Sequence, residues 1–291
     1  MTRWKTSLTA EALDELVDRA RQQLPQLDRS RPVLIGEGIS TMTYGLSAPD
    51  GRWALRISRR YPEPWTWRGG RAHELDLIAE LRRRGVPVPA GATVIAELRG
   101  LPAAILERRI EGEPLAPDLA RGDAGLRSQI ADLLDRLHSV DTSARVIRDL
   151  PRDDPTAEFR AAASTVQLKD RSLRRRVEAA IDQLAERGSI RTLCHRDFRV
   201  EHLIAADATV VGLLDLGEVG IDDPAIDLAF LHGELGADAV ARICGAMETA
   251  DPELHLAART FHQLWPLLEL VPGGESWGDP ATARARLDAL L

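Results

Sequence analysis

Cys194-His195-Arg196-Asp197-Phe198-Arg199-Val200-Glu201-His202-Leu203-Ile204, followed by Val210-Val211-Gly212-Leu213-Leu214-Asp215-Leu216-Gly217, is the stretch on which the reading of this chain turns. Two short apolar runs, Leu203-Ile204 and Val210 to Leu214, are separated by a turn and predict a hairpin. One carboxylate, Asp197, precedes the hairpin and another, Asp215, follows it. Folding the hairpin brings both to one mouth, with His202 five positions after Asp197. Geometry, not proximity in sequence, makes them a pair.

Working outward from this island, the segment from Thr192 to Leu214 is the one strand-like stretch in a helical second half. Helical spacing of apolar residues predicts helices over Arg127 to His138, Pro155 to Val166 and Ser172 to Arg187, and three more after Pro224. The first 108 residues read differently. A helix over Ala10 to Leu24, with Thr9 as its cap, is followed by strands at Val33 to Ile35, after Thr43, and at Trp53 to Ile57, punctuated by Gly36, Gly38 and Pro49-Asp50-Gly51. A helix over Ala72 to Arg84 is stopped by Val86-Pro87-Val88-Pro89, and strands follow at Ala92 to Ile95 and Leu101 to Leu106. Glu111-Gly112-Glu113-Pro114 reads as a linker. The expectation is an α+β chain with a strand-rich N-terminal lobe, residues 1–108, and a larger helical C-terminal lobe, residues 109–291. There is no internal repeat and no low-complexity tract.

The island matches the catalytic and metal loops of a kinase. In that scheme a loop Asp accepts the proton of the substrate hydroxyl, a residue five positions later binds magnesium, and a later Asp holds the metal that bridges the phosphates. Those positions are Asp197, His202 and Asp215. Upstream, Gly36-Glu37-Gly38-Ile39-Ser40-Thr41 carries two glycines of a phosphate-covering loop, with Ser40 beside them. Arg56 stands where a strand lysine would clamp phosphates, and Glu74 on the next helix is its candidate partner. Each has a plainer reading: a Gly-x-Gly turn, a surface ion pair, a satisfied core histidine at 202, turn-forming aspartates. Trp265 reads as helix core, and Arg82-Arg83-Arg84 as a solvated helix end. The ordered set argues against coincidence for Asp197 and Asp215.

On these residues the chain resembles the aminoglycoside and macrolide phosphotransferase superfamily, with its two-lobed, protein-kinase-like fold, over nearly the whole length. The matching stretches are Cys194 to Ile204, Gly212 to Leu231, Leu133 to Asp141 and Leu106 to Leu115. The resemblance implies a nucleotide between the lobes, ATP or GTP, with its base against a hinge near Glu107 to Arg109. It also implies Mg2+ at His202 and Asp215, and transfer of the γ-phosphoryl group to a hydroxyl. Asp227, in Gly220-Ile221-Asp222-Asp223-Pro224-Ala225-Ile226-Asp227, corresponds to a residue that braces the catalytic loop. Three positions depart from the family pattern. Arg196 replaces the usual Gly, His202 the usual Asn, and Arg56 the usual Lys. The last two are similar to macrolide phosphotransferases; Arg196 is not explained that way. Only 12 residues separate Asp215 from Asp227, too few for a protein kinase's activation segment.

Charge narrows the acceptor. Residues 1–108 hold 17 Lys and Arg against 13 Asp and Glu, net +4, while residues 109–291 hold 21 against 32, net −11. An acidic second half does not suit nucleic acid and suits a cationic small molecule, with Phe230, Phe261, Trp265 and Trp277 of the C-terminal helices as aromatic surface for a bulky apolar ring. The reading is therefore an antibiotic kinase, with a macrolide favoured over an aminoglycoside; the rivals are a metabolic kinase of an amino alcohol or sugar and a nucleotide-binding pseudokinase. The longest apolar runs are too short to cross a bilayer, and Met1 to Ala10 lacks the apolar core of a secretory signal, so a cytoplasmic, membrane-free protein is expected. Cys194 and Cys244 lack metal-ligand spacing and read as packed thiols. The acceptor, the purine preferred and the oligomeric state are not legible.

Overall fold

Alternation along one strand organises the first half. In Gly51–Ser58 the residues Trp53, Leu55 and Ile57 are buried on one face, while Arg56 points to the other. The computed structural model describes residues 8–38, 41–59, 70–95, 101–152, 154–187, 190–272 and 279–290. The chain divides into two units, Met1–Gly112 with Val211–Leu214, and Glu113–Val210 with Asp215–Leu291.

The first unit contains α1 (Ala10–Gln23), β1 (Val33–Glu37), β2 (Thr41–Ala48), β3 (Gly51–Ser58), α2 (Gly70–Arg83), β4 (Thr93–Ile95) and β5 (Ala104–Arg108). The five strands form one antiparallel sheet in the order β1-β2-β3-β5-β4. Helix α1 is capped by the Thr9 hydroxyl, which accepts from the Ala12 amide. Its Leu16, Val17 and Ala20 pack with Leu46, Trp53, Leu55, Ile57, Ile95 and Leu106 into one buried cluster. Burying each such aliphatic side chain is worth about 1.5–3 kcal/mol, which holds the helix to that face. The opposite face of β3 is free to carry Arg56.

The elements that follow are β6 (Glu113–Pro114), α3 (Pro117–Gly122), α4 (Ala124–His138), α5 (Arg145–Arg148), α6 (Pro155–Val166), α7 (Arg171–Glu186), β7 (Thr192–Cys194), β8 (Leu203–Ala206), β9 (Thr209–Leu213), β10 (Gly220–Asp222), α8 (Ala225–Leu235), α9 (Ala237–Ala246), α10 (Leu254–Glu269) and α11 (Pro280–Leu290), all in the second unit except Val211 to Leu213 of β9. The α+β character matches expectation. In α7, Leu173, Val177, Ile181 and Leu184 make the buried stripe, and Asp170 caps the helix by accepting from Ser172 and Leu173 amides.

Two expectations change. Glu113-Pro114 is a strand, paired with Ala205 and Ile204, instead of a bare linker; proline suits such an edge position. After Pro224 four helices occur among the described residues, where three were expected. Gly236 alone separates α8 from α9, at φ +84°, so the apolar period hardly breaks across a turn that only glycine makes cheaply. Cys194 and Cys244 are buried free thiols, and burial raises both, Cys244 to about 12. No helix among the described residues is long and apolar enough to cross a membrane.

Candidate active site

The hairpin exists as expected. β8 and β9 are neighbours in the sheet order β6-β8-β9, joined at Asp207 and Ala208, whose φ of +48° and +59° suit a tight two-residue turn. Asp197 leads into it and Asp215 leaves it. Asp197, His202 and Asp215 each offer one ligand atom, and these atoms lie within 4.8 Å of one another. The His202 ring stands between the carboxylates, with Nδ1 3.7 Å from Asp197 Oδ2 and Nε2 3.9 Å from Asp215 Oδ2.

The histidine's orientation has a cause. Its Nδ1 lies 2.9 Å from the Asp197 carbonyl oxygen, which can only accept. In the neutral ring Nδ1 therefore carries the hydrogen, and Nε2 keeps its lone pair toward Asp215. A lone pair and two carboxylates form a donor set that fits a divalent cation, although magnesium favours the oxygens. Asp215 holds φ +56°, a left-handed conformation that costs a non-glycine residue free energy and persists where surrounding structure enforces it. Burial raises the pKa of Asp197, and the Asp215 charge adds to this, while His202, His195 and Arg199 oppose it. A base that binds protons more tightly is better matched to neutral pH.

A second layer of contacts fixes the loop. Asp227 on α8 is fully buried and accepts the backbone N–H of His195 at 3.0 Å and of Arg196 at 2.7 Å. Its Oδ2 also lies 2.9 Å from His138 Nε2. Two turns along the same helix, Glu234 accepts the Val200 N–H at 2.7 Å and pairs with Arg199 at 3.2 Å. The bracing expected of Asp227 is thus explicit. Sequence alone does not single out His138 or Glu234; the one signal is helical spacing, four residues after Leu134 and seven after Asp227.

In the first unit Arg56 pairs with Glu74, which is 0% exposed, and also with Glu107 at 3.5 Å. Sheet register explains the second contact: Glu107 is opposite Ala54, two residues before Arg56 on β3, so both side chains share the face turned from α1. This is a buried ion-pair cage, not a surface pair. Glu107 was expected at a nucleotide hinge, and its carboxylate faces Arg56. The Arg109 amide donates to the Arg52 carbonyl at 3.0 Å.

Gly36 lies in β1, opposite Thr43 of β2, and Gly38 follows the end of that strand. The Gly38 amide donates to the Thr41 carbonyl at 2.9 Å, and Arg59 Nη1 donates to the Gly38 carbonyl at 2.8 Å. A Cβ at either glycine would meet neighbours no closer than 3.6 Å. Nothing among the described residues demands glycine there. Ser40 lies outside the described residues, as does Trp277. Arg82 donates to the Val88 carbonyl at 2.8 Å, and Arg83 and Arg84 pair with Glu80.

The model of the phosphotransferase enzyme family matches residues 31–255. No curated protein sequence matches the chain. Among solved structures, the GDP complex of an aminoglycoside 2'-phosphotransferase-IIIa is similar with a TM-score of 0.73 at 16% identity, covering 95% of this chain and 97% of that one. The macrolide 2'-phosphotransferase MphH from Brachybacterium faecium gives 0.67 at 20% identity, covering 96% and 98%. A choline/ethanolamine kinase family protein from Mesorhizobium loti gives 0.63 at 18%, covering 94% and 93%. At such identities the likeness is one of fold.

Proposed function

Since the chain belongs to the phosphotransferase enzyme family, as a kinase of small molecules, we propose that it transfers the γ-phosphoryl group of ATP or GTP to a hydroxyl of a small cationic antibiotic, with a macrolide favoured over an aminoglycoside. The observation that carries the chemistry is the convergence of Asp197, His202 and Asp215. Phosphoryl transfer asks the protein for positioning and charge neutralisation more than for covalent chemistry. Asp197 accepts a hydrogen bond from the acceptor hydroxyl and takes its proton as the oxygen attacks. Asp215 and His202 Nε2 would hold Mg2+, which when bound neutralises charge on the phosphate oxygens. Arg56, kept straight by Glu74 and Glu107, clamps phosphate oxygens with a planar fork. Gly36 and Gly38, which no described neighbour crowds, leave room for a phosphate to approach the backbone.

The acceptor class rests on the second unit. Phe230 and Trp265 meet edge to face, with centroids 4.9 Å apart, and both remain partly exposed. On α8, Phe230 stands one turn from Asp227 and one from Glu234, which both bind the catalytic loop, so it shares their side of the helix. Phe261, also expected in an aromatic acceptor surface, is instead buried against Phe159, at 6.0 Å between rings. An aromatic pair in an acidic half suits a ligand with an amine and a bulky apolar body. It would also hold the quaternary ammonium of an amino alcohol, the second reading, which the resemblance in fold to a choline/ethanolamine kinase family protein supports.

The test is transfer from γ-labelled ATP and GTP to a macrolide, an aminoglycoside, a basic peptide antibiotic and choline, at low and high salt. Macrolide binding, resting on apolar area at about 25 cal/mol per Å2, should resist salt. Aminoglycoside binding should weaken as its several amines are screened from the acidic half. Transfer to choline with none to any antibiotic would overturn the acceptor and keep the chemistry.

A further inference from the structure

Arg196, immediately before the proposed base, sits at φ +65°, where glycine alone pays no steric penalty. Its backbone N–H donates to Asp227, a bond that any residue could make. The identity of the side chain therefore needs another cause. It turns back over β10, where its Nε lies 3.3 Å from Asp222 Oδ2, with side-chain exposures of 17% and 1%. A Cβ on Gly220 would stand 2.9 Å from Arg196 Nη1, 3.0 Å from its Cδ and 3.1 Å from the Pro151 carbonyl oxygen. Strand β10 is bare at the point where the guanidinium crosses it.

The other groups around Asp222 leave that oxygen to Arg196. Asp222 Oδ1 lies 3.3 Å from Arg191 Nη1 and accepts the Asp223 N–H at 2.8 Å. The Asp223 carboxylate is turned to Arg187, at 3.2 Å, and the Cys194 thiol donates to the Asp222 backbone carbonyl. Strand β10 begins five residues after Asp215 and pairs with β7, which runs into the catalytic loop. Gly220 is opposite Cys194, so the arginine spans from the loop to the segment that leaves Asp215.

We propose that Arg196 is a positioning residue: its charge contact with Asp222 ties the loop carrying Asp197 to the strand that follows Asp215, and so holds the two aspartates in mutual register. The tie needs Asp222 ionised. Burial raises the Asp222 pKa to about 7, with the Asp223 charge adding and the Asp223 N–H, Arg196 and Arg191 opposing. Above that pH the pair is complete, and it weakens as pH falls through it. Removing Arg196 removes one of the groups that favour the carboxylate, so the remaining Asp222 should titrate at higher pH. The role in register rests on the phosphotransfer reading; the tie itself does not.

Hydrogen–deuterium exchange of residues 195–203 at pH 6 and pH 8, corrected for the intrinsic rate, reads the tie without catalysis. The wild-type loop should be protected at pH 8 and open more at pH 6. Arg196→Gly, which also relieves the backbone, should raise opening at pH 8 by about tenfold, the scale of one charge-assisted contact. Arg196→Lys should keep most of the protection, and Asp222→Asn should remove its pH dependence. In parallel, magnesium-dependent hydrolysis of ATP and GTP should fall in kcat for Arg196→Gly with the nucleotide KM little changed. Wild-type protection in Arg196→Gly at pH 8, or a wild-type pH dependence in Asp222→Asn, overturns the proposal. Absence of hydrolysis by the wild type would instead sink the phosphotransfer reading, and the exchange data would still decide the tie.

Discussion

Arg56 and Asp197 sit among carboxylates of opposite purpose. In the sheet unit one guanidinium lies between Glu74 and Glu107, both buried, so its charge is answered inside the fold. In the helical unit two aspartates converge on a histidine, with Asp215 57% exposed, and the negative charge is turned partly to solvent. The first arrangement belongs to the fold, because breaking a buried pair strands a desolvated charge. The second is the arrangement the proposed chemistry would use: its loop is braced by Asp227, and Asp215 is left open to solvent. Variants in the two regions should therefore separate stability from turnover.

The largest separation is expected at Asp197. Asp197→Asn should lower turnover by about two to four orders of magnitude, the scale of a positioned base, with melting temperature and nucleotide affinity nearly unchanged; turnover near wild type would refute the assignment. Arg56→Ala should do the reverse first. It leaves Glu74 and Glu107 facing each other in a buried site, at about 3–5 kcal/mol of stability in denaturant unfolding. Arg56→Lys should fold and remain active but impaired. A stable, fully active alanine variant would make the cage irrelevant to both. Asp215→Asn should raise the magnesium needed for half-maximal activity by about tenfold, one step of 1.4 kcal/mol; an unchanged magnesium titration would count against ligation.

A finer comparison uses pH. His232 and His262 stack at 5.0 Å between α8 and α10, and burial lowers both pKa values, His262 to about 4. A depressed histidine contributes stability that is present above its ordinary 6.5 and lost as pH falls toward 4. Asp222 runs the other way: its raised pKa gives stability that is present below 3.8 and lost as pH rises through about 7. Melting temperature measured from pH 4 to 8 should therefore fall less on the acid side in His262→Gln than in wild type, while Asp222→Asn should gain on wild type as pH rises from 4 to 7. The smallest effect is expected at Gly38→Ala, within about 0.5 kcal/mol in stability because, among the described residues, the added Cβ meets only Thr41 at 3.6 Å. A weaker nucleotide affinity in the same variant would place phosphates over that glycine.

What could be read from the sequence was local or ordered along the chain. Asp197, His202 and Asp215 stand at spacings that a hairpin must bring together, and Glu74 follows Arg56 on the next helix. What escaped depends on register and distant packing. Glu107 reaches Arg56 only because β3 and β5 pair at Ala54. Asp222 reaches Arg196 because β10 pairs with β7. Neither pairing leaves a periodic mark. The short helices Pro117–Gly122 and Arg145–Arg148 are too brief for a 3.6-residue period to show, and Glu113-Pro114 is a strand only because β8 lies beside it.

The hairpin between the aspartates also bears on how the site assembles. Its two-residue turn places Ala208 in a left-handed conformation, at about 1–2 kcal/mol for an alanine. Gln129 of α4 offsets that cost by grasping both sides of the turn: its Nε2 donates to the Ala208 carbonyl at 3.1 Å and its Oε1 accepts the Val210 N–H at 2.8 Å. Closing so short a loop loses little chain entropy, and loop-closure entropy grows only slowly with length thereafter. The hairpin itself can bring Asp197 and Asp215 together through contacts near in sequence, whereas the Arg56–Glu107 contact, 51 residues apart, and the Gln129 clasp, 79 and 81 residues from its partners, must wait for longer-range packing.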